Sequence, residues 1–395
     1  MVPYSYQEQL SHDALEILRA HGIVYLAMEE RTGKTLTAIL ACEKSSVSRV
    51  LVITKKKALA GWQETLNAFP HMKQYTVTNY HQAKKFLDPS IFDLIILDES
   101  HNYISGFPKV SKLWKDIANL TEEKPIIYIS ATPYAQGPHL LYHQFALSTW
   151  SPWRKYSNAY SWFRTYGLPN TIWLNSRQVE QYNKVKNSEV LLCCEHLFIT
   201  KTRKELDFMQ EPVDSLHYIQ LSEKTKELYN RLQKDRILEE LDLVADTVMK
   251  LRVSLHMLEG GVAKIDGVNR VLANEEKIDY IKAIWGDHSD LVIMYNYISE
   301  GVKLKEQFTK AVILQATSFA EGVDLSHIRN LVIYSQDFST ARHTQRRARQ
   351  ANKNRTDPIT VHYILVKDAI SDQVYNTVTE KKQNFVDSVF ERNII

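Results

Sequence analysis

The sequence contains a series of short, uninterrupted apolar runs separated by helical patterns. In the first part of the chain these runs are IVYLAM, RVLVIT, FDLIILD and PIIYISAT. Strands that are apolar at every position, and not at every second one, are typical of parallel sheets with helices on both faces. Helical periodicity over residues 6–20, 58–68 and 109–119 predicts such helices. Residues 1–150 are therefore predicted to form a doubly wound parallel α/β domain.

A second series of apolar runs follows Lys277 and consists of LVIMYNY, AVILQAT, NLVIYS and ITVHYILV. It predicts a second parallel-sheet lobe over residues 276–395, with residues 213–275 as its helical part. Between the lobes, the aromatic and basic residues 151–212 predict a helical elaboration and a connector. The fold class expected is α/β, with two doubly wound parallel-sheet lobes and helical insertions.

Composition limits the number of domains and the classes of protein that this sequence can form. The 395 residues are 44% hydrophobic, enough to build two or three cored domains. Lys and Arg number 49 against 46 Asp and Glu, so net charge gives no indication of a nucleic-acid partner. The three cysteines show no zinc-binding spacing and favour a reduced, cytoplasmic setting. We expect no membrane insertion, because no apolar run approaches the roughly 20 residues required.

The segment Thr32-Gly33-Lys34-Thr35 lies between a predicted buried strand and a predicted helix. In this context a phosphate-binding loop uses backbone N–H groups and the helix N-terminus to hold phosphates. Lys34 would reach the β and γ phosphates, and Thr35 would coordinate Mg²⁺. The usual glycine six residues before the lysine is replaced by Met28, so a loop that contains GKT by chance is the alternative.

Two acids, Asp98 and Glu99, end the apolar strand FDLIILD. A carboxylate at this place can hold a metal ion, and the next can polarise a water molecule. A solvated turn is the alternative, but the nearby GKT unit favours the catalytic roles. Residues 130–132, Ser-Ala-Thr, close the next strand, where small hydroxyl side chains can contact the Asp98 loop.

Taken in order, AMEERTGKT, DESH, SAT, EGVDL and QRRAR resemble the motif series of superfamily 2 helicases and translocases over residues 4–355. The pair Tyr6-Gln7, the segment LVITKKKALAGWQETL and the segment TNYHQAKK are similar to the Swi/Snf branch. The lack of accessory domains resembles compact phage-type members. The resemblance implies two RecA-like lobes, an ATP and Mg²⁺ requirement, and a cytoplasmic location, in the host cytoplasm for a phage protein.

The resemblance also assigns roles to residues. It implies that Gln7 contacts adenine, that Thr32 and Gly33 belong to the ATP-binding loop, and that Asp324 and Gln345 line the nucleotide cleft.

For the last motif, the resemblance implies that Arg349 is an arginine finger that stabilises charge on the transferring phosphoryl group. Asn352 stands where the family has a second arginine, and Arg346 or Arg355 is the expected replacement.

Contacts to nucleic acid are expected mainly through phosphates, because a motor must move over any sequence. The resemblance places Lys55, Lys56, Lys57 and Tyr80 where this family contacts the strand. A solvated loop is the alternative for the lysine triplet. For the aromatic stretch over residues 150–166, core packing is the alternative to a contact with nucleic acid.

The function predicted is an ATP-dependent translocase or helicase on double-stranded or branched DNA, a nucleic-acid-stimulated ATPase. One alternative is an RNA-directed helicase of the same fold. Another is a nucleotide-controlled DNA-binding switch or scaffold with slow hydrolysis, which the missing second arginine favours. A small-molecule kinase is excluded, because the second lobe and QRRAR have no use in one.

Overall fold

The chain forms two units, Met1–Asp207 and Phe208–Ile395, in a computed structural model. The structure describes residues 1–86, 88–134, 137–174, 177–316 and 325–379. Each unit is built on its own sheet.

The first unit contains one six-stranded sheet and a separate hairpin. Its strands are β1 (Ile23–Leu26), β2 (Arg49–Thr54), β3 (Gln74–Asn79), β4 (Leu94–Asp98), β5 (Ile126–Ile129), β6 (Asn170–Leu174), β7 (Arg177–Gln181) and β8 (Phe198–Ile199). The sheet order is β3-β2-β4-β5-β1-β8 and every pairing is parallel. β6 and β7 form an antiparallel hairpin outside it. In a parallel sheet all carboxyl ends lie at one edge, where ligands bind in open α/β folds.

Seven α-helices accompany these strands within the described part of the first unit. They are α1 (Ser5–His21), α2 (Lys34–Glu43), α3 (Leu59–Ala68), α4 (Lys112–Thr121), α5 (Leu141–Phe145), α6 (Ala159–Tyr166) and α7 (Asn187–Leu192). Their ends follow local chemistry. α1 stops at Gly22, whose φ of 67° is the left-handed conformation that favours glycine. α4 begins after Ser111, whose side chain accepts a hydrogen bond from the Trp114 backbone N–H.

The four continuous apolar runs predicted as strands form β1, β2, β4 and β5, and nearly every residue in them is buried. β3 was not predicted, because it lies at the sheet edge and is only partly buried. Residues 151–212 contain two helices, as expected, but also the β6–β7 hairpin and β8, which were not predicted. Trp153 and Trp162 from this stretch are 2% and 0% exposed, so core packing accounts for them.

The second unit contains a five-stranded sheet and two short antiparallel pairs. Its strands are β9 (Pro212–Ile219), β10 (Ile237–Leu238), β11 (Leu243–Val244), β12 (Val262–Ile265), β13 (Val268–Val271), β14 (Leu291–Tyr295), β15 (Val312–Gln315), β16 (Asn330–Ile333) and β17 (Ile359–Val366). The sheet order is β15-β14-β16-β17-β9, again with parallel pairing throughout. The described helices are α8 (Glu223–Asp235), α9 (Val248–Glu259), α10 (Glu276–Trp285), α11 (Ile298–Gln307) and α12 (Thr340–Arg347).

All four runs predicted as strands in the second unit are present, as β14 to β17. β9 lies within the residues predicted to be helical. Its sequence PVDSLHYI is buried only at its two ends and lies at the sheet edge, so it lacks the continuous apolar signal of the central strands. The predicted fold class, two RecA-like parallel α/β lobes, is confirmed. None of the helices in the described ranges is long and apolar enough to cross a membrane.

Candidate functional site

The turn between β1 and α2 has the geometry of a phosphate-binding loop. Gly33 adopts φ 76°, and a Cβ at this position would lie 2.1 Å from Nε2 of Gln7. The positive φ therefore favours glycine, and a Cβ would also displace the end of the Gln7 side chain. Lys34 is the first residue of α2, where the leading N–H groups have no acceptor inside the helix and the helix dipole favours an anion.

The Lys34 ammonium group is held inside the loop. Its Nζ donates to the carbonyl oxygens of Met28 at 2.9 Å and Glu29 at 2.7 Å. Burial lowers the pKa of Lys34, and the negative charges of Glu30 and Glu99 act in the opposite direction. A buried ammonium held by neutral carbonyls is ready to pair with an anionic phosphate.

The first helix is bonded to the same loop. Gln7 is 3% exposed, and its Nε2 donates to the Gly33 carbonyl at 3.3 Å. The Tyr6 hydroxyl donates to the Thr32 carbonyl at 3.0 Å. Tyr6 and Gln7 therefore lie against the phosphate-binding loop, and the contact of Gln7 with adenine stays a prediction.

Asp98, at the carboxyl end of β4, is fixed by three side chains. The Thr54 hydroxyl at 2.6 Å and the Trp62 indole N–H at 3.0 Å both donate to Oδ2, and Tyr80 donates to the Asp98 carbonyl at 3.0 Å. Burial raises the pKa of Asp98, and the charge of Glu99 raises it further. These donors fix the orientation of the Asp98 carboxylate, and its role as a metal ligand stays a prediction.

Glu99 follows in the left-handed conformation, with φ 53° and ψ 37°. Its Oε2 lies 3.7 Å from Nζ of Lys55 and 3.6 Å from Nδ1 of His101. Nδ1 of His101 is also 3.0 Å from Oγ of Ser130, which in turn accepts the Thr132 backbone N–H. The expected contact between residues 130–132 and the Asp98 loop is therefore present, through His101.

Two of the residues predicted to contact nucleic acid are buried. Tyr80 is 1% exposed and stacks on Tyr103 with ring centroids 4.3 Å apart. Lys55 is 8% exposed and its ammonium group is directed to Glu99. Both residues therefore support the acid pair, and their contact with nucleic acid stays a prediction. Lys56 and Lys57 are exposed, and their predicted role stands as a prediction.

Sequence reasoning missed Arg203, which lies in the segment after β8 and is 3% exposed. Its backbone N–H donates to Oε2 of Glu29 at 2.8 Å, and its guanidinium donates to the Glu30 carbonyl at 3.3 Å. The guanidinium also lies 3.7 Å and 3.8 Å from the carboxylates of Glu29 and Glu30. Glu29 and Glu30, just before the Thr32 loop, were the available sequence signal for such a residue, because carboxylates shielded from water need a basic partner.

The residues fit Mg²⁺ and a triphosphate. The predicted metal ligands, Thr35 at the start of α2 and Asp98, offer hydroxyl and carboxylate oxygens, the donors that Mg²⁺ prefers. The helix terminus and Lys34 offer the positive groups that phosphates require. No other donor set is needed for this interpretation.

The second unit carries the other predicted site residues. Gln345 lies on α12 and is half-buried, and Arg349 follows in a 3₁₀ turn and is 8% exposed. Asp324 lies outside the described residues.

The two expected replacements for the missing second arginine have different surroundings. Arg346 is 2% exposed and lies 3.5 Å from Oδ2 of Asp337. Arg355 donates to the carbonyls of Ser326 and Ile328, and so holds backbone. The roles of all these arginines stay predictions.

The parallel sheets, the loop at Lys34 and the acid pair at the end of β4 define a nucleotide-binding α/β protein. Residues 1–135 match the family model described as "Type III restriction enzyme, res subunit". The predicted resemblance to helicase superfamily 2 agrees with this match over residues 1–135. The phage-type assignment stays a prediction.

A solved structure titled "Sulfolobus solfataricus SWI2/SNF2 ATPase core domain" is similar to this chain. The similarity covers 100% of this chain and 92% of that chain, with 13% sequence identity and a TM-score of 0.44. A search of curated proteins found no match.

Proposed function

We propose that this protein is a Mg²⁺-dependent ATPase that couples hydrolysis to movement on double-stranded or branched DNA. The observation that carries the proposal is the placement of the acid pair relative to the loop. Lys34 follows β1 and Asp98 ends β4, and both strands pair in parallel with β5, so their carboxyl ends lie at one edge of the sheet. A cation for phosphates, a carboxylate for the metal and a second carboxylate for water therefore belong to one site in the first unit.

Each group has one task in this proposal. Lys34 and the N-terminus of α2 bind phosphate oxygens, and Thr35 and Asp98 hold Mg²⁺. Glu99 orients and polarises the attacking water. When bound, Mg²⁺ supplies neutralisation of the charge that develops on the phosphates. Thr54 and Trp62 keep Asp98 oriented, which limits the reorganisation needed during the reaction.

The second unit contributes to the proposal through the resemblance of its last motif. Gln345 and Arg349 are assigned to the nucleotide, with Arg349 stabilising the transferring phosphoryl group. Each cycle of ATP hydrolysis changes the conformation of the protein, and this conformational change moves the protein along DNA. Lys56 and Lys57 are proposed to contact strand phosphates, which carry no sequence information and suit a motor.

A second candidate function is supported by Asn352, which stands in place of the second arginine. With one arginine fewer, hydrolysis would be slow and the ATP-bound state would act as a DNA-binding switch or scaffold. Glu99→Gln separates the two functions, because it removes the water-polarising group while leaving phosphate binding intact. A motor loses ATP-driven movement on DNA in this variant, whereas a switch keeps its whole function, which is ATP-dependent DNA binding.

The proposal is tested by steady-state ATP hydrolysis with no nucleic acid and with single-stranded DNA, duplex DNA, branched DNA and RNA. Lys34→Ala gives the blank. We expect duplex or branched DNA to stimulate hydrolysis most, and Lys34→Ala to abolish it. Stronger stimulation by RNA would favour an RNA-directed helicase, and no stimulation by any nucleic acid would contradict the motor.

A further inference from the structure

A pocket of about 510 Å³ lies in the first unit between residues 108–110, α4, α5 and residues 148–160. Pockets of this size are typical of sites for small organic groups. None of the residues assigned to ATP lines this pocket, so its chemistry is independent of the Lys34 site.

The walls of the pocket are aromatic. Trp114, Tyr156 and Tyr160 line it with partly or fully exposed side chains, and Trp153 and Tyr142 line it while being 2% and 4% exposed. The partly or fully exposed rings of Trp114, Tyr156 and Tyr160 therefore offer stacking surfaces to a flat ligand.

The charged side chains that line the pocket are positive. Lys109 and Arg154 line it and both are exposed, whereas the described part of the chain places no Asp or Glu in its lining. The neighbouring His143 adds no charge at neutral pH, because burial lowers its pKa. The pocket therefore favours a ligand that combines a flat ring with a negative charge, which is the chemistry of a nucleotide.

Hydrogen bonds connect the pocket to the acid pair. Trp114, in the pocket wall, donates its indole N–H to the His143 carbonyl at 2.7 Å. The next residue, Gln144, accepts a hydrogen bond from the Ser100 hydroxyl at 2.7 Å, and Ser100 directly follows Glu99. Binding in the pocket can thus bias the position of Glu99 through α5.

We propose that this pocket binds one unpaired nucleotide of a DNA strand, with the base between the aromatic side chains and the adjacent phosphates on Lys109 and Arg154. The inference rests on the proposed function, since it supplies a route by which branched DNA with unpaired nucleotides stimulates hydrolysis. Stacking on aromatic side chains is tolerant of base identity, as a motor requires. A free mononucleotide has the same chemistry and is the other source of the ligand.

The test measures equilibrium binding in the absence of ATP. The probes are a fluorescent oligo(dT) of 12 nucleotides, an abasic strand of equal length, and thymidine monophosphate. The variants are Tyr160→Ala, Tyr160→Phe and Lys109→Ala. Lys226→Ala on α8 is the control, because Lys226 is exposed and lies outside the pocket.

We expect wild type to bind oligo(dT) about tenfold more tightly than the abasic strand, the scale of one base–aromatic stack. Tyr160→Ala should remove this difference and Tyr160→Phe should keep it. Lys109→Ala should weaken both strands, and Lys226→Ala neither. Equal affinity of wild type for the two strands would overturn the proposal, as would binding of thymidine monophosphate as tight as that of oligo(dT).

Hydrolysis assays separate this inference from the proposed function. If branched DNA with unpaired nucleotides stimulates wild type and Tyr160→Ala equally, the pocket is not the route of stimulation and the inference fails alone. If no nucleic acid stimulates hydrolysis but binding still depends on Tyr160 and the base, the motor fails and the nucleotide pocket stands.

Discussion

The indole N–H of Trp62 donates a 3.0 Å hydrogen bond to Oδ2 of Asp98. Trp62 belongs to α3, is 2% exposed, and reaches the end of β4 from a different part of the chain. The Thr54 hydroxyl donates to the same oxygen. The orientation of the proposed metal ligand is thus set by two side chains that themselves contact neither phosphate nor water in the proposed mechanism.

Trp62→Phe should therefore lower kcat for ATP hydrolysis by about tenfold, because a hydrogen bond to a charged acceptor is worth roughly 1.5–3 kcal/mol and only part of it concerns the transition state. The KM for ATP should change less, and the concentration of Mg²⁺ needed for half-maximal rate should rise. Trp150→Phe is the control, since Trp150 is 43% exposed and does not contact the site. An unchanged Mg²⁺ requirement would contradict this role.

Arg203→Gln should weaken nucleotide binding. The change removes the guanidinium that holds the backbone and acidic side chains at Glu29 and Glu30, next to the carbonyls that accept from Lys34. We expect the dissociation constant for a fluorescent ADP analogue to rise about tenfold, or about 1.4 kcal/mol. Arg203→Lys should give a smaller effect. If the variant unfolds at a lower temperature but binds ADP as wild type does, Arg203 has only a structural role.

Gly33→Ala should destabilise the first unit and abolish nucleotide binding. The left-handed backbone costs about 1–2 kcal/mol with a Cβ, and the contact with Gln7 adds to this cost. Gly61→Ala is the matched control, because it lies in α3 and its Cβ would meet no atom within 4 Å. It should stabilise the unit by about 0.5–1 kcal/mol. Chemical unfolding measures both changes, and equal effects would contradict the prediction.

The buried carboxyl group of Glu300 should make the stability of the second unit depend on pH. It is 0% exposed, and burial raises its pKa to about 7 from the ordinary value of 4.5. At a pH between these two pKa values, the Glu300 carboxyl keeps its proton in the folded chain and has lost it in the unfolded chain. The free energy of unfolding should therefore fall as pH rises through this window, by about 3 kcal/mol in total.

Glu300→Gln removes the titrating group while keeping an acceptor for the backbone N–H groups of Asn296 and Tyr297. Its free energy of unfolding should fall less than that of wild type between pH 4.5 and pH 8. Denaturant titrations at several pH values measure this difference. The same pH dependence in both proteins would show that Glu300 is not the titrating group.

The central strands of both sheets could be predicted because full burial leaves a continuous apolar signal. The edge strands β3, β8 and β9 could not, because partial exposure or a length of two residues removes that signal. Local sequence motifs also identified Lys34 and Asp98 as candidate site residues. The local sequence could not show the contacts that support the site. Arg203 and Glu29 are 174 residues apart in sequence, and Trp62 and Asp98 are 36 apart. Such contacts exist only once the sheet has formed.

Displacement of a third strand from a triplex measures movement along duplex DNA, because a protein that travels along the duplex removes the strand bound in its path. We predict that wild type with ATP and Mg²⁺ displaces the third strand, and that Glu99→Gln does not, although it still binds DNA. DNA-stimulated hydrolysis by wild type without any displacement would contradict the proposed movement on duplex DNA.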